Sequence, residues 1–261
     1  MTEDERTRVR VLDTAEELLQ ASGHHRVVTL DVGSGFGAPA FAVGPAGGAT
    51  VAFHHRSDHG IPGSAVLGTA SGLAVLLADA RVRAWVLGGG NRHLSVPRGS
   101  VHVVEECLDL GTRGGEWDWM WTTSLPPTVP GESVVGVLAP TCADETKAFL
   151  AEHSPRTHGQ PFARPGQHWV AVRDARSGAL VATGCSEPCA AGTPTLAGIA
   201  VDGARRGEGW GAAVTAHLTR RAVTDHGACA LGMFADNDGA RHLYERLGFT
   251  TGMQWTSRWF E

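Results

Sequence analysis

The chain has 261 residues, of which 42% are hydrophobic and 19% charged, and its formal net charge is −5. Basic residues do not outnumber acidic ones in either half, with 10 against 14 in residues 1–130 and 12 against 13 in residues 131–261, so we expect no nucleic-acid binding. The sequence has no apolar run of about 18 residues, which argues against a membrane span, and its five scattered cysteines are typical of reduced thiols in the cytoplasm.

The first predicted elements belong to an N-terminal α/β domain over residues 1–125. Thr14 and Glu17 have the spacing of a capping box, and Gly23 can end a helix, which together predict a helix from Thr14 to Ser22. Three apolar runs predict strands over residues 27–32, 40–43 and 51–55, of which the first two are joined as a hairpin.

Two stretches in this domain suggest other functions, a methyltransferase motif and a metal site. Residues 30–37, Leu-Asp-Val-Gly-Ser-Gly-Phe-Gly, are similar to the first motif of S-adenosylmethionine-dependent methyltransferases, but Pro39 and Pro45 interrupt the helix that must follow it. His54, His55, Asp58 and His59 are possible metal ligands, but adjacent histidines on a strand point to opposite faces. We therefore favour a hairpin turn for the first and a solvated, partly functional loop for the second.

The remainder of the domain is predicted from apolar spacing. Val66, Leu73 and Leu77 indicate a helix over residues 63–80, and residues 84–87 indicate a strand. Gly88, Gly89 and Gly90 follow without a helix that could make a phosphate site. Further along, three indoles share one face of a strand, where they either pack in the core or line an apolar substrate pocket: Trp117, Trp119 and Trp121.

A proline-rich linker over residues 126–132 is predicted to separate this domain from a second one over residues 133–261. The second domain begins with a strand over 134–138 and a helix through Glu152 that Thr141 and Asp144 cap. A hairpin of residues 169–173 and 180–185 leads to an apolar strand over 195–201.

A glycine-rich loop, residues 205–212, joins that strand to a helix in which apolar residues recur every four positions. The first turn of a helix leaves backbone N–H groups without partners and carries partial positive charge. Gly207, Gly209 and Gly211 have no Cβ to keep a ligand away, and Arg206 adds charge, so this loop predicts a pyrophosphate site. The helix is expected to end after Arg221, with Gly227 as its left-handed cap.

A strand over residues 229–235 and a helix capped by Asn237 follow. Ala240, Leu243, Tyr244 and Leu247 share one face of this helix, and Gly248 ends it. Tyr244, the single tyrosine of the sequence, is therefore predicted to point inward beside the helix of the glycine loop. Packing alone would also explain that orientation.

The two motifs together resemble the GNAT superfamily of acetyl-CoA-dependent N-acetyltransferases. They are Arg-x-x-Gly-x-Gly at residues 206–211 and, about 25 residues later, Asn-x-x-Ala-x-x-Leu-Tyr-x-x-x-Gly-Phe at residues 237–249. The resemblance covers residues 133–261 and implies the mixed-sheet α/β fold of that family. The N-terminal half lacks both motifs but has a similar element order, so we interpret it as a degenerate GNAT-like half of a two-domain protein.

The resemblance also implies site residues. The coenzyme A pyrophosphate is expected on the backbone of Arg206, Gly207, Glu208, Gly209, Trp210, Gly211 and Ala212. The pantetheine arm is expected along Ile199, Ala200 and Val201, near Asn237 and Ala240. Tyr244 is expected to protonate the leaving thiolate, a role that a phenol can fill at neutral pH without ionising.

The mechanism expected is direct attack of a primary amine, from a small molecule or amino acid, on acetyl-CoA, with strand N–H groups stabilising the oxyanion. Residues 195–201 contain no acid, unlike many members of the family, so Glu187, Asp202, His168 and Cys185 are possible substitutes for a base. A non-catalytic acyl-CoA sensor and a protein acetyltransferase remain alternatives. We expect a monomer or homodimer in the cytoplasm, with no metal, membrane or nucleic-acid partner.

Overall fold

The computed structural model describes residues 7–56 and 60–260, which form one twelve-stranded mixed sheet with helices on both faces. The mixed α/β fold predicted from the sequence is confirmed. The strands are β1 Arg10–Leu12, β2 Ala40–Val43, β3 Thr50–Arg56, β4 Pro62–Leu67, β5 His93–Pro97, β6 Gly114–Thr122, β7 Gly136–Val137, β8 His168–Arg173, β9 Leu180–Pro188, β10 Pro194–Val201, β11 Cys229–Phe234 and β12 Thr250–Trp259. The helices are α1 Ala15–Ala21, α2 Ala70–Ala78, α3 Ala80–Leu87, α4 Val101–Cys107, α5 Ala143–His153, α6 Trp210–His226 and α7 Asp238–Arg246.

The order of strands shows that the two halves of the chain exchange their last strands. β6, from the first half, lies between β11 and β12 and is antiparallel to both. β12, from the second half, pairs on its other edge with β5. Each half of the sheet is therefore completed by a strand from the other half.

Both halves repeat one order of elements. In each, a short strand and a helix precede three antiparallel strands, and a helical connection then leads to a strand that is parallel to the last of them. These parallel pairs, β4 with β5 and β10 with β11, hold together over only two residue pairs before the strands part. The degenerate GNAT-like first half predicted above fits this repeat, while the domain boundary at residues 126–132 stays a prediction.

The sheet separates two cores beside β11. Leu231 and Met233 pack with α6 and α7 on what we call the α6 face. Ala230 points to the other side and packs with the indoles of β6, on what we call the tryptophan face. Trp119 is 3% exposed there, which agrees with core packing for this indole, whereas Trp117 and Trp121 are only partly buried.

The sequence predictions for α1, for the β8–β9 hairpin and for the glycine cap of α6 are confirmed by the structure. Thr14 and Glu17 form both hydrogen bonds of a capping box at α1, and the β8–β9 hairpin forms. α6 ends at Gly227, which has φ +77°, although the helix reaches His226 rather than ending near Arg221. Within the described residues no helix is both long and apolar enough to cross a bilayer.

Four local predictions are wrong. Residues 28–32 form a π-helical turn rather than a strand, so no hairpin joins them to β2. Residues 62–67 form β4, whose buried residues on both faces imitate helical spacing. Residues 84–87 belong to α3, which starts where the Asp79 carboxylate accepts the N–H of Arg81. α5 begins at Ala143 without a side-chain cap.

A buried carboxylate on the exchanged strand β6 binds side chains from both halves of the chain. Asp118 of β6 is fully buried and accepts hydrogen bonds from the guanidinium groups of Arg98 and Arg241. Arg98 follows β5 and also donates to the Trp117 carbonyl, while Arg241 of α7 donates to the Ala235 carbonyl. The Arg98–Asp118–Arg241 triad thus connects β5, β6 and α7 across the exchange.

Candidate active site

The parting of β10 and β11 creates an opening in the middle of the sheet. Their parallel pairing stops at Leu196 and Leu231. β10 then has a bulge between Ala197 and Ala200, where its register with β9 shifts. Because of this extra residue, Ile199 lies on the α6 face together with Leu196, three positions earlier.

Gly198 is required at this bulge. Its φ is +62°, and a Cβ built there would lie 2.6 Å from Cη2 of Trp169. Only a glycine adopts this conformation without strain and leaves room for the indole. The bulge redirects the backbone of Ile199, Ala200 and Val201 along the opening.

We expect Gly198→Ala to lower the free energy of unfolding by about 2–5 kcal/mol. The left-handed conformation costs an alanine about 1–2 kcal/mol, and overpacking against Trp169 adds about 1–3 kcal/mol. Chemical denaturation measures the loss. Gly192→Ala is the matched control, because Gly192 has φ +83° but nothing within 4 Å of its Cβ position, so only the first cost applies. Equal losses in the two variants would contradict this explanation.

The glycine loop lies at the end of β10. Gly207 and Gly209 have φ +83° and +90°, and the space that a Cβ would fill is open at both. Within the described part of the chain, no side chain caps the first turn of α6, and the backbone N–H groups of Gly209, Trp210 and Gly211 have no acceptor. This is the donor arrangement that binds a phosphate group.

Side chains around the loop are held away from these N–H groups. The Trp210 indole donates to Glu208 at 2.9 Å and packs against the linker at Gly131. Glu208 is also bound by the Arg205 guanidinium, and Arg206 donates to the carbonyl of His153 at 2.8 Å. These contacts hold the loop in place on both sides, while its backbone N–H groups stay accessible to a ligand.

Among the described residues, the first half has no such site at the point where β4 and β5 part. β4 ends at Leu67 and α2 begins at Ala70, so the connection has two residues in place of eight. The hydroxyl of Thr50 accepts the N–H of Thr69, and the hydroxyl of Thr69 accepts the N–H of Gly72. A ligand would find these donors already bonded, which agrees with the absence of the glycine motif from this half of the sequence.

Tyr244 lies on the α6 face of the opening. It is buried in the core with Leu196 and Met233, and its ring packs against Phe249 at a centroid distance of 5.9 Å. Burial raises the pKa of its hydroxyl to about 12. The group therefore stays protonated at neutral pH and can donate a proton or a hydrogen bond but cannot act as a base.

Asn237 and Ala240 lie at the start of α7, next to the end of β11. The Asn237 side chain accepts the Ala240 N–H at 3.1 Å, so Asn237 is the N-cap that the sequence predicts. Its own N–H donates to the Phe234 carbonyl. A contact of either residue with a pantetheine arm stays a prediction.

Of the four residues suggested as a base, two carboxylates are hydrogen-bonded to other groups, and a histidine and a cysteine have shifted pKa values. The Glu187 carboxylate accepts hydrogen bonds from Arg164 and Gln167. Asp202 caps the turn at Ala204. Burial, with the charges of Arg221 and His217, lowers the pKa of His168, and burial raises the pKa of the fully buried Cys185 thiol.

Asp31 and His55 form a pair that sequence reasoning did not connect. The Nε2 atom of His55 lies 2.9 Å from Oδ2 of Asp31, and both side chains are mostly buried. Residues 31 and 55 lie in separate elements, so no local pattern in the sequence predicts their contact. Only the position of His55 on a strand could be predicted. Of the other members of the predicted cluster, His54 accepts the indole N–H of Trp85 at 3.0 Å, and Asp58 and His59 lie outside the described residues.

The fold and the open glycine loop agree with the resemblance to the GNAT superfamily. The model of the acetyltransferase (GNAT) family matches residues 139–249, so this part of the chain is similar to GNAT acetyltransferases. A search of curated proteins gives no significant match.

Three solved structures share the fold over nearly the whole chain. A GNAT-family acetyltransferase from Novosphingobium aromaticivorans is 17% identical with a TM-score of 0.53, and the match covers 95% of this chain and 98% of that one. GCN5-related N-acetyltransferases from Sphaerobacter thermophilus and Kribbella flavida are 16% and 20% identical, with TM-scores of 0.55 and 0.52. They cover 96% and 94% of this chain and are themselves covered over 94% and 93%. At such identities the likeness shows the fold alone.

Proposed function

We propose that this protein is an N-acetyltransferase that moves an acetyl group from acetyl-CoA to a primary amine of a small molecule or amino acid. The observation that carries the proposal is the glycine loop, whose N–H groups point into open space at the start of α6, next to the opening between β10 and β11. The fold likeness supports acyl transfer from acyl-coenzyme A in general. The acetyl group, the amine acceptor and the cytoplasmic location belong to the proposal.

Three groups of the second half have separate roles in the proposed reaction: cofactor binding, oxyanion stabilisation and proton donation. The loop binds the pyrophosphate, and the backbone of Ile199, Ala200 and Val201, unpaired with β11, offers N–H groups to the developing oxyanion. The protonated hydroxyl of Tyr244 donates to the leaving sulfur from the α6 face. We place the attacking amine on the opposite side, the tryptophan face, where Gly232 is exposed.

A screen of amine acceptors with acetyl-CoA tests the proposal directly. Release of free thiol that depends on one class of amine, with the acetylated amine identified by mass spectrometry, would support it. Tight binding of coenzyme A without transfer to any amine or protein lysine would favour the acyl-CoA sensor instead. Transfer to protein lysines alone would favour the protein acetyltransferase.

A charge placed at the loop should weaken cofactor binding. We expect Gly207→Glu to raise the Kd for coenzyme A about tenfold relative to Gly207→Ala, measured by calorimetry. Both variants bear the same backbone strain at φ +83°, so their difference isolates the carboxylate. A unit charge about 5 Å from a pyrophosphate of charge −2 costs roughly 1.7 kcal/mol in water. Equal affinities would place the pyrophosphate elsewhere.

A further inference from the structure

The opening between β10 and β11 reaches solvent on the tryptophan face. Gly232 is the first residue of β11 beyond the paired stretch, and it is exposed although β11 is an internal strand. Alternation along β11 places it on the side of Ala230, away from Tyr244. A cleft therefore exposes the middle of the sheet on the face proposed for the approach of the amine.

The wall of this cleft comes from the first half of the chain. A Cβ at Gly232 would lie 3.7 Å from the Trp117 indole, which the Ser257 hydroxyl fixes through a 2.8 Å hydrogen bond. The same indole stacks on the His55 imidazole, with ring centroids 6.4 Å apart. His55 in turn contacts Asp31, so a continuous chain of contacts leads from the floor of the cleft to a carboxylate.

Asp31 is also tied to the beginning of β10. Its carbonyl accepts the N–H of Ala191 in the β9–β10 loop, and the thiol of Cys189 lies 3.1 Å from the carbonyl of Leu30. Burial raises the pKa of that thiol to about 11, and the negative charge of Asp31 adds to the shift. Gly33 allows this contact, because a Cβ there would lie 2.7 Å from Ala191.

Among the described residues no arginine pairs with Asp31, whereas an arginine does pair with Glu187. Glu187 is bound by Arg164, at 2.5 Å, and by Gln167. Asp31 contacts His55, whose imidazole carries a full charge only when protonated. The side chain of Asp31 is 17% exposed, so a ligand can reach it. A mostly buried carboxylate that pairs with a histidine among the described residues favours a cationic ligand.

We propose that Asp31 is the acceptor-binding carboxylate of this enzyme, contributed by the degenerate first half and held in place by His55, and that it selects cationic amines. The proposal rests on the proposed function, since it assigns the acceptor site of the same reaction. The acceptor lies in the cleft over Gly232, against the Trp117 indole, with a positively charged group on Asp31. The first half thereby supplies specificity in place of a second cofactor site.

Steady-state kinetics with acetyl-CoA and a panel of ethylamine, 1,4-diaminobutane and spermidine tests the assignment. Asp31→Asn should raise the KM of the best cationic acceptor about tenfold or more, because a charged hydrogen bond is lost, while the Kd for coenzyme A stays unchanged. Calorimetry of the same amine with the coenzyme A complex gives a second readout that needs no turnover. Unchanged KM and unchanged amine affinity in Asp31→Asn would overturn the proposal.

Two further variants separate charge from structure. His55→Gln keeps an N–H donor for Asp31 and should restore most of the acceptor affinity that His55→Ala loses. Glu187→Gln removes a carboxylate from the same side and should leave the KM of the amine unchanged; a tenfold rise there, with none in Asp31→Asn, would assign the acceptor to Glu187 and overturn the proposal. If the wild-type protein binds coenzyme A but acetylates no amine, the proposed function fails, whereas activity that is insensitive to Asp31 rejects the acceptor site alone.

Discussion

Tyr244→Phe is expected to lower kcat about 100-fold while the Kd for coenzyme A stays the same. General acid catalysis contributes roughly 10²–10⁴-fold, and the lower end applies because a thiolate leaves more readily than an alkoxide or amide. The pKa of about 12 keeps the Tyr244 hydroxyl protonated from neutral to moderately alkaline pH. Ionisation of this group should therefore cause no change in the wild-type rate between pH 6 and 10. Steady-state rates and calorimetry measure the two quantities.

Phe249→Leu is the control for this variant. Phe249 packs against the Tyr244 ring but carries no hydroxyl, so its replacement should lower stability and leave kcat within a few-fold of wild type. If Tyr244→Phe retains full activity, the tyrosine is a packing residue, and the assignment of the glycine loop is unaffected. If kcat falls equally in both variants, packing rather than proton donation explains the loss.

Asp118→Asn should lower the free energy of unfolding by about 3 kcal/mol or more. The substitution keeps the shape of the side chain but leaves two guanidinium groups, of Arg98 and Arg241, facing a buried neutral amide. Removing one partner of a buried ion pair costs about 3–5 kcal/mol, because the remaining charge loses its compensation. Denaturant titration measures the change, and the midpoint should fall without a large change in slope.

Glu116→Gln provides the comparison for Asp118. Glu116 also contacts Arg98, at 3.2 Å, but its side chain is 53% exposed. An exposed pair of this kind contributes about 0–1 kcal/mol, so the variant should be close to wild type in stability. Similar losses for both substitutions would show that the charge of Arg98, rather than the buried position of Asp118, determines the effect.

The second half could be predicted well because its signals are local. Asn237 caps α7, Gly227 ends α6, and Gly207 and Gly209 adopt positive φ values, all of which depend on residues within one turn of the chain. Local chemistry of this kind is visible in a sequence without an alignment. The glycine loop was found for the same reason.

The first half was harder to predict because its elements are buried on both sides. β4 is covered on both faces, so its apolar run carries no period of two, and the periodicity of α2 extended the predicted helix back to Gly63. Trp85 and Val86 favour strands but lie in a helix, where the Asp79 cap and packing outweigh their propensity. Contacts between distant residues, such as Asp31 with His55, have no local signature at all.

The strand exchange has a consequence for synthesis on the ribosome. β5 needs β12 as its neighbour, yet residues 250–259 are translated more than 120 residues after β6. At roughly 5–20 residues per second, the nascent first half spends on the order of 10 s with an open edge on its sheet. The sheet of the first half therefore cannot be completed until β12 has been synthesised, so the two halves finish folding together.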